Sequence, residues 1–207
     1  MMRHLAFAVL FIAGTAAANN EDLLWQNDQF SISLPAGWHA YDQQQALSGQ
    51  SSALGLILFS AQEVTEAGKL TADVESLANL DRGDIPSFFV DRLPAEKGMA
   101  CSKLSRTATY NLGVRINQDK SISAVKKYLA SSVGAKHTNI DLGGCKGAHY
   151  RVEAGKKGTP QHWIIDVRAV ADGNVVYLFS LRNQAVNYSR NIDAFERAMA
   201  TVQIKQR

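Results

Sequence analysis

Two imidazoles and two carboxylates between positions 149 and 166 form the constellation in this chain with the clearest chemical potential. Side chains alternate along an extended strand. His149, Arg151 and Glu153 therefore share one side of a strand-like run, and His162, Asp166 and Arg168 share one side of the next. Neutral imidazole nitrogen and carboxylate oxygen suit Zn²⁺ or Mn²⁺, so His149, Glu153, His162 and Asp166 are candidate metal ligands. An envelope hydrolase or other metal-dependent enzyme would work from the His149, His162 and Asp166 face. The same residues would serve equally as a charged outer face whose arginines and acids pair across strands.

The two cysteines, Cys101 and Cys145, lack the close spacing of a redox dithiol or a zinc knuckle. In an exported chain an even pair reads as one disulfide, with two buried free thiols as the alternative. Nucleophilic catalysis finds no support. The nearest look-alike, Gly49-Gln50-Ser51-Ser52-Ala53, misses the spacing of a nucleophile elbow and lies in a Gln/Ser-rich stretch. Phosphate-binding glycine loops, dinucleotide fingerprints and H-E-x-x-H are all lacking, and the sequence implies no cofactor.

The elements that must hold these groups are legible around them. Residues 149–182 contain three strand-like runs, broken by a Gly/Lys/Pro turn and then by Asp172-Gly173, a tight-hairpin dipeptide. In the second run Trp163, Ile165, Val167 and Ala169 form a core face, which leaves the His162, Ile164, Asp166 and Arg168 face at least half wet. The third run is apolar on both faces, through Val175, Tyr177 and Phe179 and through Val176 and Leu178, as a central strand covered on both sides would be.

Upstream, Phe30, Ile32 and Leu34 alternate with serines and end at Pro35-Ala36-Gly37-Trp38, a short strand running into a turn. Residues 43–52 read as an exposed loop and residues 54–61 as a buried strand. Leu70, Val74 and Leu77 have helical spacing between Gly68 and Gly83. Ile85, Phe88, Phe89 and Leu93 share a helical face behind Asp84 and Pro86, before Pro94 stops it. Leu112, Val114 and Ile116 alternate as in a strand. Ile122, Val125, Leu129 and Val133 form a helical stripe behind Ser121 or Ser123, with Gly134 as terminator. Ile140 and Leu142 make a brief strand, and residues 189–202 a closing helix with Ile192, Phe195 and Met199 inward. Trp25 and Trp38 read as core residues or as anchors for a partner. Helices interrupt strands without strict alternation, which predicts an α+β fold with a largely antiparallel sheet and helices on both faces.

Residues 1–18 run Arg3-His4, an apolar block from Leu5 to Gly14, and Thr15-Ala16-Ala17-Ala18. That is the order of a secretory signal peptide cleaved after Ala18. The apolar block is too short to span a bilayer, and no integral span is expected after cleavage. The remaining residues, 19–207, are expected to form one globular domain, periplasmic or secreted, since 207 residues at 46% hydrophobic suffice for one good core. The formal charge is +3. Loss of Arg3 lowers it by one, and so small a bias excludes nucleic acid or anionic lipid as an expected partner.

The segment "FSISLPAGW" at residues 30–38, the late meander turning at Asp172-Gly173 and the closing helix with Phe195 resemble the PsbP-like superfamily, over residues 30–202. That group includes the extrinsic PsbP subunit of photosystem II, the Mog proteins and the DcrB-type envelope proteins. The resemblance implies a seven-or-so-stranded antiparallel sheet between helices, an α/β/α sandwich. It also implies a binding or assembly role without a catalytic centre. The Gln/Ser-rich stretch after Trp38 and the Cys101/Cys145 pair depart from the common pattern, and no ligand residue carries over. The expected function is a non-enzymatic envelope module acting on a protein partner. The alternatives are a periplasmic immunity protein against a toxin and the metal-dependent enzyme named above.

Overall fold

The computed structural model describes residues 22–43, 55–62, 65–66, 69–70, 82–97, 99–104, 109–111, 137–154, 156–160 and 162–205. The leader, the 43–52 loop beyond its first residue, the 70–77 helix beyond Leu70, the strand expected around Leu112–Ile116 and the helix expected behind Ser121 all lie outside them.

Seven strands form the main sheet, in the order β10 (His137–Leu142), β11 (Cys145–Ala154), β12 (Trp163–Asp172), β13 (Val175–Gln184), β7 (Ser87–Pro94), β4 (Gly55–Ser60) and β3 (His39–Gln43). All neighbours are antiparallel. A second sheet orders β1 (Leu23–Gln26), β2 (Phe30–Leu34) and β14 (Gln203–Ile204). Two short ribbons pair β5 (Thr65–Glu66) with β6 (Lys69–Leu70), and β8 (Met99–Ala100) with β9 (Lys103–Leu104). The C-terminal helix α1 (Ala185–Thr201) lies across the first face of the main sheet. The fold class is thus α+β with an antiparallel sheet. Among the described residues no helix is long and apolar enough to cross a membrane.

The meander forms as its pattern predicts. Asp172 pairs with Val175, so the hairpin loop is Gly173-Asn174, and Gly173 adopts the positive φ of 54° such loops require. β13 is central, between β12 and β7, and buried on both faces from Val176 to Asn183.

Residues 87–94 correct the sequence expectation: they form a strand, not a helix. Phe88 and Val90 go to one face of the sheet while Phe89 and Leu93 serve the other, all of them buried. A continuous apolar run of this length satisfies helical and buried-strand templates alike. Pairing to β13 and β4 on both sides decides it, since each flanking strand offers a ladder of backbone hydrogen bonds that a helix could not use. The run stops at Pro94.

On the first face an aromatic and aliphatic cluster joins Phe30, Ile32 and Leu34 of β2, Phe59 of β4, Phe88 of β7, Phe179 of β13 and Phe195 of α1. Phe88 meets Phe195 at 5.4 Å between centroids, edge to face. Trp25 packs at 5.3 Å from Phe30 and 5.2 Å from Phe59, and Trp38 at 5.7 Å from Phe88. Both tryptophans are therefore committed to the core. The second face is more aliphatic: Val152, Ile165, Val167, Ala169, Val176 and Leu178, with Tyr150 among them and Met99 and Leu104 packed on from the β8–β9 ribbon.

Candidate functional site

Strand register decides which polar groups meet. His149 lies opposite Arg168, Arg151 opposite Asp166, and Glu153 opposite Ile164. All lie on the side of the sheet that carries α1; on β12 that side, expected to be half wet, is covered, while Arg151 and Glu153 of β11 stay exposed. Asp166 is only 2% exposed and Ile164 7%. The sequence alternation identified the two sides of β12 correctly but could not say what lay over the polar one.

A carboxylate buried this deeply must have partners. The Tyr188 hydroxyl, from the first turns of α1, donates to Asp166 Oδ2 at 3.2 Å. His149 Nε2 stands 2.9 Å from the same oxygen, close enough for an ion pair when protonated, though out of alignment for a hydrogen bond. Arg168 Nε is 3.9 Å from Oδ1. The arginines then tie the carboxylate to the helix. Arg151 lies over the Tyr188 ring at 4.9 Å and donates to its hydroxyl at 3.4 Å. Arg168 lies over Phe195 at 5.3 Å and pairs with Glu196. Burial pushes the Tyr188 phenol above the ordinary tyrosine range, and the Asp166 charge adds to it, while Arg151 opposes.

Glu153 belongs to a second, more exposed group. It lies 3.5 Å from His162 Nε2, 3.6 Å from Lys157 and 3.7 Å from Arg151. The four residues singled out as metal ligands therefore divide into two pairs, His149 with Asp166 and Glu153 with His162. Among the described residues no three His, Cys, Asp or Glu side chains converge on one point. What the arrangement does is clamp: it fixes the helix on the sheet through charge-assisted contacts.

Cys101 and Cys145 are joined as a disulfide, with Cα atoms 4.5 Å apart. The bond ties the turn of the β8–β9 ribbon to the first residue of β11, beside a hydrogen bond from Lys146 N to Cys101 O of 2.7 Å. A second polar lock sits behind α1. Asn191 donates to Gly83 O at 2.8 Å and to Asn183 Oδ1 at 2.9 Å. Gly83 has φ of +78°, and a Cβ there would fall 2.4 Å from the Asn183 side chain, so two requirements converge on glycine.

Where the β11–β12 turn meets the start of α1, the surface sinks into a half-open groove of about 550 Å³ lined by Gly158, Thr159, Pro160, His162, Gln184 and Val186. Ala185 N donates to His162 O at 2.8 Å and Gln184 Nε2 to Pro160 O at 2.9 Å, which sets turn and helix side by side. Val186 stands at the rim, 76% exposed. Sequence reasoning missed this groove because it started the helix four residues late. Gln184 occupies the N-cap position without a side-chain cap, and the first turn holds no acid, so the usual start signals are missing. The turn's Gly, Thr and Pro were the only available cue.

No family model matches the chain, and no curated protein does. Among solved structures it is similar to the solution structure of cyanobacterial PsbP (CyanoP) from Synechocystis, with 11% identity and a TM-score of 0.49, over 93% of this chain and 99% of that one. It is also similar to a crystal structure from Bacteroides thetaiotaomicron, with 13% identity and a TM-score of 0.40, over 86% of this chain. The chain spans 45% of that structure.

Proposed function

We propose that this chain is a non-enzymatic binding module, exported to the bacterial envelope, that takes a segment of a protein partner in the groove beside the start of α1. The carrying observation is the groove itself: apolar at Pro160, Ala185 and the protruding Val186, and bordered by the polar side chains of Thr159, His162 and Gln184. A concave surface with an apolar rim and a few polar groups is suited to holding a chain segment. The ionisable groups nearby are engaged with one another: Asp166 with His149 and Tyr188, Glu153 with His162 and Lys157. Export is supported by the order of charges and apolar residues in positions 1–18, and the joined cysteines accord with an oxidising compartment. The resemblance of residues 30–38 and the closing elements to PsbP-like binding and assembly factors points the same way.

Val186 lies in the first turn of α1, where an acidic residue favours the helix, so Val186→Asp probes the groove without unfolding the protein. Crosslinked capture from envelope extracts should return one specific partner with the natural chain and lose it with Val186→Asp. A blank at high coverage, or capture indifferent to the substitution, would overturn the reading.

A further inference from the structure

Among the described residues the small sheet ends at β1 in an edge strand with no charged residue, proline or bulge. Among the described residues β1 pairs only with β2, and its outer side is a row of backbone donors and acceptors. Natural edges are blunted by shortness, charge, proline or a bulge; Leu23–Gln26 is short, at four residues, but carries none of the other three. Trp25 turns inward opposite Ile32, but Leu24 lies opposite Ser33 on the outer face, 62% exposed. The fold's own core therefore does not account for Leu24.

Charges of opposite sign stand at the two ends of that outer face. Asp22, exposed, has the same strand parity as Leu24 and Gln26. At the other end Lys205 Nζ donates to Gln26 Oε1 at 3.2 Å and to Asn27 O at 2.7 Å.

We propose that β1 pairs antiparallel with β1 of a second copy of this chain, about a two-fold axis at Leu24, joining the two small sheets into one. A strand that meets itself antiparallel is self-complementary by symmetry. In this register Leu24 lies against the partner's Leu24, and both cores stay on the same side of the joined sheet. Asp22 falls opposite the partner's Gln26 and so beside the partner's Lys205, and the same contact repeats at the other end. Shifting the axis by half a residue, to between Leu24 and Trp25, would set Leu24 against the inward-facing Trp25 and throw the two cores to opposite sides.

The test is sedimentation velocity on the purified protein at concentrations up to about 100 μM, with circular dichroism as a control for folding. The natural chain is expected to dimerise reversibly. Leu24→Lys, placing two like charges together at the axis, should weaken the dimer by about tenfold or more. Asp22→Lys and Lys205→Asp should each weaken it, and the double variant should recover much of the loss. A natural chain that stays monomeric throughout, or a dimer that Leu24→Lys leaves intact, overturns the proposal. A double variant as weak as either single overturns this register.

Discussion

The two faces of β12 bury themselves by different means. On one, Ile165, Val167, Ala169 and Ala171 join an aliphatic layer, covered in part by Met99 and Leu104 from the β8–β9 ribbon. On the other, Ile164 and Val170 flank Asp166 and Arg168, which are covered by α1 and matched to groups on that helix. Apolar burial tolerates sliding and repacking, whereas a buried carboxylate has few acceptable neighbours. The polar face accordingly specifies where the helix sits, and the aliphatic face contributes stability without fixing a position so narrowly.

The largest effect should come from uncovering the aliphatic side. The disulfide closes a loop across a sequence separation of 44 and holds the ribbon near that layer. On the chain-entropy estimate its loss costs about 4 kcal/mol, so chemical denaturation with and without reductant, or of Cys101→Ser with Cys145→Ser, should show a drop of that order. An unchanged midpoint would mean that the ribbon stays in place without its tether.

On the polar side, Asp166→Ala leaves Tyr188 without its acceptor and His149 and Arg168 without the carboxylate beside them. The expected cost is about 3 kcal/mol, measured by denaturant unfolding. Losses well below this would show that water reaches the site and that the contrast between the faces is shallower than described.

The smallest effect sharpens the contrast through pH. Tyr188→Phe removes the hydroxyl that bridges helix and carboxylate, at about 1 kcal/mol near neutrality. Burial also holds the Tyr188 and Tyr150 phenols above their ordinary range in the folded protein. A raised folded-state pKa means that stability is complete below the unfolded value, about 10, and is lost as pH rises beyond it, because the unfolded chain ionises first. Stability should therefore fall above about pH 10, and Tyr188→Phe should fall less steeply there. Parallel curves would remove Tyr188 from the alkaline transition.

The contrast also shows what a single sequence can convey. The meander was legible because alternation, the Asp172-Gly173 turn and a doubly apolar third run all agree. β7 was not: Phe88, Phe89 and Leu93 match a helical face by spacing, and only the strands on either side make it extended. The polar residues of β11 and β12 were placed on the correct side, but α1 covers those of β12 and leaves Arg151 and Glu153 exposed, and alternation is silent about distant cover. The groove depends on Gln184 and Val186 reaching the β11–β12 turn. That contact follows from where the helix begins, which the sequence marks with no cap.

After α1, Gln203 and Ile204 bond to Ser31 and Phe30, near the first of the described residues. Ile204 is 7% exposed and Phe30 fully buried. This seam joins positions more than the length of the main sheet apart in the sequence, so the aromatic layer cannot be sealed before residues 203 and 204 have been made. A nascent chain on its way out of the ribosome would remain unlatched until Gln203 and Ile204 had emerged, and would snap shut only then.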